Sequence, residues 1–133
     1  MMIYTSYFDE IERLEENNIL TISICGQAPE WYKGLQYKKL APKYYFFIEW
    51  KKNHDNNYYI EHFNSDVLSK LEATSVVEKL QDMFNKANQE CANKYKDIAL
   101  ICYEKPMEFC HRHLVAEWLI HNGFQCEEWQ DVM

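Results

Sequence analysis

Glycine and proline are scarce in this sequence, with three of each among 133 residues. A chain with so few of them and with 16% aromatic residues has the composition of a folded globular protein, which excludes extensive disorder. No apolar run approaches the roughly 20 residues that a membrane-spanning helix needs, so no membrane association is expected. Neither a P-loop nor a Gly-x-Gly-x-x-Gly pattern is present, which excludes the common glycine-rich phosphate loops.

Positive charge is also in short supply, because 14 Lys and Arg residues stand against 21 Asp and Glu residues and leave a formal net charge of −7. This balance disfavours non-specific binding to nucleic acid or to an anionic membrane. A clear positive excess is confined to WYKGLQYKKLAPK, residues 31–43, and the neighbouring WKK. The aromatic side chains there either stack on a base or pack into the protein's own core, and the second explanation suits so aromatic a chain better.

The five cysteines form an odd set without the dense spacing of a disulfide framework. The opening MMIYTSYFDEIERLEE lacks the basic and apolar regions of a signal peptide. We therefore expect free thiols and a reducing, cytoplasmic location.

Apolar runs alternate with helical patterns along the chain, which predicts a mostly parallel sheet with helices on both faces. The predicted strands lie at residues 2–5, 19–25, 98–102 and 124–129. The first three should be mutually parallel, and we place the first strand between the second and third. The predicted fold class is therefore α/β, a single-domain, three-layer Rossmann-like sandwich with a mostly parallel sheet over residues 1–133.

Two capping-box patterns, Asp9 with Glu12 and Ser75 with Glu78, predict helix starts, and the second opens a long amphipathic helix. Residues 58–71 also have helical periodicity. The stretch 26–57 has no clear period, and KKNHDNN within it is expected to be an exposed loop. The rest of that stretch should form short helical turns that lay aromatic side chains across the carboxyl edge of the sheet, namely Trp31, Tyr32, Tyr37, Tyr44 and Tyr45.

The residues best suited to chemistry cluster where an apolar strand, a polar loop and a helix follow one another. Cys102 ends the strand, and Cys110, His111 and Arg112 stand at the start of the helix. A helix amino end has free N–H groups and a partial positive charge, which attract anions. Arg112 adds a forked donor for phosphate or carboxylate, and a thiol in the first helical turn beside a cation is partly ionised.

Parallel sheets of this kind bind ligands outside the carboxyl ends of the strands, where the strand order reverses. With the first strand in the middle, this point lies between the first and third strands. The predicted ligand-binding residues there are Arg112, Thr5, Ser6, Tyr7 and Glu104. The predicted catalytic residues are Cys110 or Cys102 as nucleophile and His111 as acid or base.

Each of these residues also has a structural explanation. Cys102 closes an apolar strand as a core residue would, and His111 is compatible with a hydrogen-bonded interior histidine. Arg112 would serve as a cap if it tied Glu104 to the helix. A zinc or iron site is not predicted, because the spacing Cys-x7-Cys-His from Cys102 through Cys110 is not a standard ligand pattern.

Several segments resemble one known family. CYEKPMEFCHRHLVAEWL, a strand ending in Cys-x-Glu and then Cys-His-Arg at a helix start, is similar to the carboxyl-terminal motif of domain-of-unknown-function family 488. IYTSYF and PEWYKGLQYKKLAP resemble the first strand and the central segment of that family. The resemblance implies an α/β, Rossmann-like fold and no particular reaction. Where this branch often has an arginine after the second strand, the chain has Gly26 and Gln27.

Two function hypotheses follow. In the first, a small intracellular protein binds a phosphate-bearing ligand, a nucleotide or a nucleic-acid-derived group, at the Cys-His-Arg helix start, and chemistry by the cysteine and histidine is left open. In the second, a non-enzymatic module presents its acidic, aromatic surface to a protein partner and Cys-His-Arg is structural. A pocket open to solvent at Arg112 favours the first, and a buried Arg112–Glu104 pair favours the second. The sequence leaves the cofactor, a nucleic-acid partner and the oligomeric state open.

Overall fold

The computed structural model describes residues 1–104 and 108–131. Within these residues, five strands form one sheet with the order β3-β2-β4-β1-β5, and all of its neighbouring strands are parallel. The strands are β1 (Ile3–Tyr7), β2 (Ile19–Ser23), β3 (Leu35–Gln36), β4 (Asp97–Cys102) and β5 (Cys126–Glu128). The predicted α/β, Rossmann-like sandwich is therefore confirmed. The polar loop predicted after β4 includes Lys105, Pro106 and Met107, which lie outside the described residues.

The position predicted for the first strand is wrong, because β4 and not β1 lies at the centre of the sheet. Ile98–Cys102 of β4 are all buried, and a strand that is apolar on both faces is stabilised most where it has a neighbour on each side. β1 is less apolar, with Tyr4 and Tyr7 only partly buried. It pairs with β4 on one side and with the three-residue β5 on the other.

Among the described residues, five α-helices cover the two faces of the sheet and form the outer layers of the sandwich. On one face, Leu14 of the first helix packs with Ala99 and Ile101 of β4. On the other, Ile98 and Leu100 of β4 pack in the core to which the remaining four helices contribute. The helices are α1 (Ile11–Glu16), α2 (Tyr44–Asn53), α3 (Asn56–Asp66), α4 (Ala73–Glu90) and α5 (His111–His121). In the described part of the chain, no helix combines the length and the hydropathy that crossing a bilayer requires.

Neither predicted capping box forms. α1 and α4 begin without a side-chain hydrogen bond at the cap, and the Ser75 hydroxyl instead donates to a carboxylate oxygen of Glu72 at 3.3 Å. The N-cap of α4 is Glu72, three residues before the predicted cap Ser75, because the apolar Ala73 and Val76 are buried against the core. A cap that the sequence analysis missed is Asp55, whose side chain accepts from the backbone N–H of Tyr58 at the start of α3.

The stretch 26–57 contains more regular structure than predicted. It holds β3, a short 3-10 turn (Lys38–Leu40) and the ten-residue α2, and the predicted loop KKNHDNN shrinks to a turn at His54, whose φ of 54° ends α2. Of the five aromatics, Tyr32 and Tyr37 are buried. The other three are more than half exposed, with exposed fractions of 60% for Trp31, 76% for Tyr44 and 51% for Tyr45.

Candidate functional site

The strand order places a crevice between the carboxyl ends of β2 and β4. After β2 the chain continues to β3 at one edge of the sheet. After β4 it crosses in the opposite direction, past β1, to β5 at the other edge. Such a divergence of connections is the usual ligand position of a parallel α/β sheet, and a cavity of about 790 Å³ lies there. The crevice was predicted to lie between the first and third predicted strands. That prediction is wrong because β4 and not β1 is the central strand.

Aromatic side chains form much of the cavity wall. Phe47 and Trp50 of α2, Tyr59 of α3 and Phe109 line it. The ring of Phe109 lies 5.6 Å from that of Trp50 and 5.0 Å from that of Tyr59, measured between centroids. A concave site with mainly apolar walls and a few polar groups is typical of a small-molecule site.

The two cysteines predicted as nucleophiles are joined by a disulfide bond, Cys102–Cys110. The expectation of free thiols is wrong for this pair, because the fold brings the end of β4 and the start of α5 together although the two cysteines are 8 residues apart. Cys25, Cys91 and Cys126 are free. Cys110 lines the cavity, and Cys102 is buried with 1% of its surface exposed.

His111, the first residue of α5, has a buried ring whose orientation is fixed by the backbone. Its Nε2 lies 2.7 Å from the carbonyl oxygen of Ile24, so this nitrogen carries the proton and donates it. The unprotonated Nδ1 lies 3.9 Å from Sγ of Cys110. Burial is the main cause that lowers the pKa of His111 to about 4, and the Arg112 cation lowers it further. At neutral pH the ring is therefore neutral and can accept a proton at Nδ1.

Arg112 is fully buried and contacts protein acceptors instead of the cavity. Its Nε and Nη2 each donate to a carboxylate oxygen of Glu128 at 3.0 Å. Nη1 donates to the backbone carbonyl of Glu104 and lies 3.0 Å from Sγ of Cys102, and the ring of Tyr7 covers the guanidinium at 5.7 Å. These groups enclose the guanidinium, so direct contact between Arg112 and a ligand stays a prediction, and the carboxylate partner of Arg112 is Glu128 and not Glu104.

Two of the predicted ligand-binding residues of β1, Thr5 and Tyr7, contact this buried pair, and none of the three lines the cavity. The Thr5 hydroxyl donates to a carboxylate oxygen of Glu128 at 2.7 Å, and Tyr7 packs on Arg112. Ser6 is buried, and its hydroxyl has no hydrogen-bond partner among the described residues. All three are separated from the crevice because β4 lies between β1 and β2.

Glu104 is the predicted ligand-binding residue that does line the cavity. Burial is the main cause that raises the pKa of its carboxyl group, and the neighbouring Arg112 partly opposes this rise. Lys51 of α2 also lines the cavity and contributes a positive charge to it. Its Nζ lies 5.5 Å from the ring centre of Phe47. The cavity therefore offers an acid and a cation next to its aromatic surface.

Residues 9–123 of the chain match the family described as the Active DUF488-N3 subclade. The chain belongs to this DUF488 family. The matched residues include Cys102 and the Cys-His-Arg sequence at 110–112, so the predicted family is confirmed. No curated protein and no solved structure matched the chain.

Within the described residues, the group of side chains that could hold a metal in this DUF488 protein lies in the disulfide region. One ligand atom each from Cys102, Cys110 and His111 lies within 4.8 Å of the others. Cysteine binds metals as a thiolate, so the disulfide would first have to be reduced. The expectation of no metal stays a prediction.

The sequence pattern did not indicate the part of the candidate site contributed by the loop after β2 and by α2. Cys25, Gly26 and Gln27 line the cavity from that loop, and their position directly after a buried strand was the available signal. Burial raises the pKa of Cys25 to about 12, so its thiol stays protonated. Lys51 and Trp50 could be placed only once α2 was known.

Proposed function

We propose that the protein binds a small ligand with a flat aromatic ring and a phosphate group, of the nucleotide class, in the cavity between β2 and β4. The observation that carries this proposal is the composition of one cavity, whose walls bring Trp50, Tyr59 and Phe109 together with the start of α5. Aromatic side chains stack on nucleobases, and a helix amino end favours a phosphate. Lys51 supplies a cation in the same space, a role that the sequence had given to Arg112.

Chemistry at this site would begin with reduction of the Cys102–Cys110 disulfide. Two equivalents of an external thiol, or one dithiol, would supply two electrons and two protons, leave two cysteine thiols and be oxidised to a disulfide themselves. Cys110 would then give its proton to Nδ1 of His111, and its thiolate sulfur would bond to a phosphorus atom of the ligand while the bond from that atom to its leaving oxygen breaks and this oxygen takes the proton from His111. Arg112, behind Cys102, would stabilise negative charge on that second sulfur and is a positioning residue in this scheme.

A second candidate function is favoured by the burial of Arg112. Its pairing with Glu128 fastens α5 to β5, and that role needs no ligand. In this case the protein would be an interaction module that presents exposed aromatic side chains such as Trp31 and Tyr44 to a protein partner.

Thermal shift with adenosine monophosphate, adenosine triphosphate and inorganic phosphate tests the first candidate. At a ligand concentration about 100 times Kd, binding stabilises the folded state by about 2.7 kcal/mol. For a domain of this size, this corresponds to a rise in Tm of roughly 8 to 14 °C. Lys51→Gln should reduce the rise, while Lys52→Gln, the adjacent exposed lysine of α2, should leave it unchanged. No rise with any of the three compounds, before or after reduction, would favour the interaction module.

A further inference from the structure

A second depression, of about 650 Å³, is rich in lysine. It lies beside the aromatic-lined cavity between β2 and β4, the aromatic cavity. Lys38 and Lys39 from the turn before α2, Lys43 at its start and Lys70 after α3 line the second depression. All four are exposed. We call this depression the lysine groove.

The positive charge of the lysine groove is not neutralised within the described residues. Asp66 is the one carboxylate among the described residues of its lining, and it accepts hydrogen bonds from the hydroxyls of Tyr45 and Ser65 and contacts His62. The ion pairs found in the described ranges 1–104 and 108–131 involve other cations. Four unpaired lysines in a chain of net charge −7 create a local positive potential that attracts anions.

The lysine groove and the aromatic cavity are adjacent. Pro42 and Tyr44 line both of them, and Tyr44 is 76% exposed at this boundary. Tyr44 therefore stands at the surface between them, where a ligand that extends along the groove would meet the cavity.

We propose that the groove and the cavity together bind single-stranded nucleic acid, with consecutive phosphates on the four lysines and one base among the aromatic rings. This inference rests on the proposed function and names its substrate class. Four lysines exceed the charge of about −1.5 to −2 that one phosphate monoester carries, so the groove suits several phosphates in a row. A base can enter the cavity only when it is unpaired, which favours a single strand over a duplex.

The test is the salt dependence of binding to a fluorescently labelled single-stranded oligonucleotide of mixed sequence, followed by anisotropy. Each neutralised phosphate of a single strand contributes about −0.7 to the slope of log K against log salt. Four contacts therefore predict a slope of about −2.8, and Lys39→Gln with Lys43→Gln should reduce its magnitude by about 1.4. The control pair, Lys79→Gln with Lys86→Gln, changes the net charge equally on exposed positions of α4 and should leave the slope unchanged. Equal losses from both double variants, or equal affinity for a duplex, would overturn the inference.

Free nucleotides separate this inference from the proposed function. If adenosine monophosphate raises Tm and the oligonucleotide does not bind, the cavity binds a nucleotide and the lysine groove has no part in it. If adenosine triphosphate binds as tightly as the oligonucleotide and loses as much from the groove variants, the groove serves the phosphates of a free nucleotide and the nucleic-acid inference is wrong. If neither nucleotide nor oligonucleotide binds, both proposals fail.

Discussion

Removal of the Glu128 carboxylate should strongly destabilise the fold. Glu128 accepts from both Nε and Nη2 of Arg112 at 3.0 Å, and the Arg112 side chain has no exposed surface. The Glu128→Ala substitution would leave a buried cation without its countercharge, a change that costs about 3–5 kcal/mol of stability. Because Arg112 retains the carbonyl of Glu104 and Sγ of Cys102 as neighbours, we expect the lower end, about 3 kcal/mol.

Chemical denaturation with urea measures this loss as a shift of the unfolding midpoint at constant m-value. The matched control is Glu127→Ala, an exposed carboxylate one residue earlier in β5, which should change the unfolding free energy by less than about 0.5 kcal/mol. Arg112→Met in the Glu128→Ala background should recover part of the loss, because it removes the unpaired cation. If Glu128→Ala costs no more than Glu127→Ala, the buried pair does not hold the site together.

Two further predictions concern His111 and the cysteines. Because burial lowers the pKa of His111 to about 4 from an ordinary 6.5, the unfolded chain binds the proton first as the pH falls. This pKa difference between the folded and unfolded states contributes about 3 kcal/mol to the unfolding free energy. The contribution is fully present above pH 6.5 and is lost progressively as the pH falls towards 4. In urea unfolding across that range, His111→Gln should flatten the decline and His121→Gln should not; equal pH profiles for all three proteins would contradict the assignment. In limiting iodoacetamide at pH 6.5, the oxidised protein should be labelled first at the exposed Cys91. After mild reduction, Cys110 should be labelled faster than Cys91, and its labelling rate should depend on His111. A reduced protein that is still labelled first at Cys91 would refute nucleophilic activation of Cys110.

The sequence was sufficient to predict the strands and helices whose apolar pattern lies within one continuous segment. β2 and β4 are uninterrupted apolar runs, and the start of α5 at His111 follows from the motif and the apolar positions after it. The cluster of Cys102, Cys110, His111 and Arg112 was predicted as one group, and the structure does bring these four residues together.

The order of the strands and the partners of buried charges depend on contacts between distant segments, and the sequence pattern could not specify them. β4 became central because β1 and β2 both pair with it along their length. Glu128 looked like one exposed carboxylate among several, yet it is the partner of Arg112. The consequence is large, because the proposed ligand site moves from the β1 side of β4 to the β2 side and most of its predicted lining changes.

The central claim, a nucleotide-class ligand in the cavity between β2 and β4, is tested most directly by amide and indole NMR shifts during titration with adenosine monophosphate. The Trp50 indole, which donates to the side-chain oxygen of Asn56 at 2.8 Å, belongs to a cavity-lining residue and reports occupancy. The Trp118 indole on α5, which is outside the cavity lining, is the internal control. Binding in this cavity should produce saturable shifts at Trp50, Gly26 and His111 with little change at Trp118. Absence of shifts at these three positions, or shifts confined to other surfaces, would contradict it.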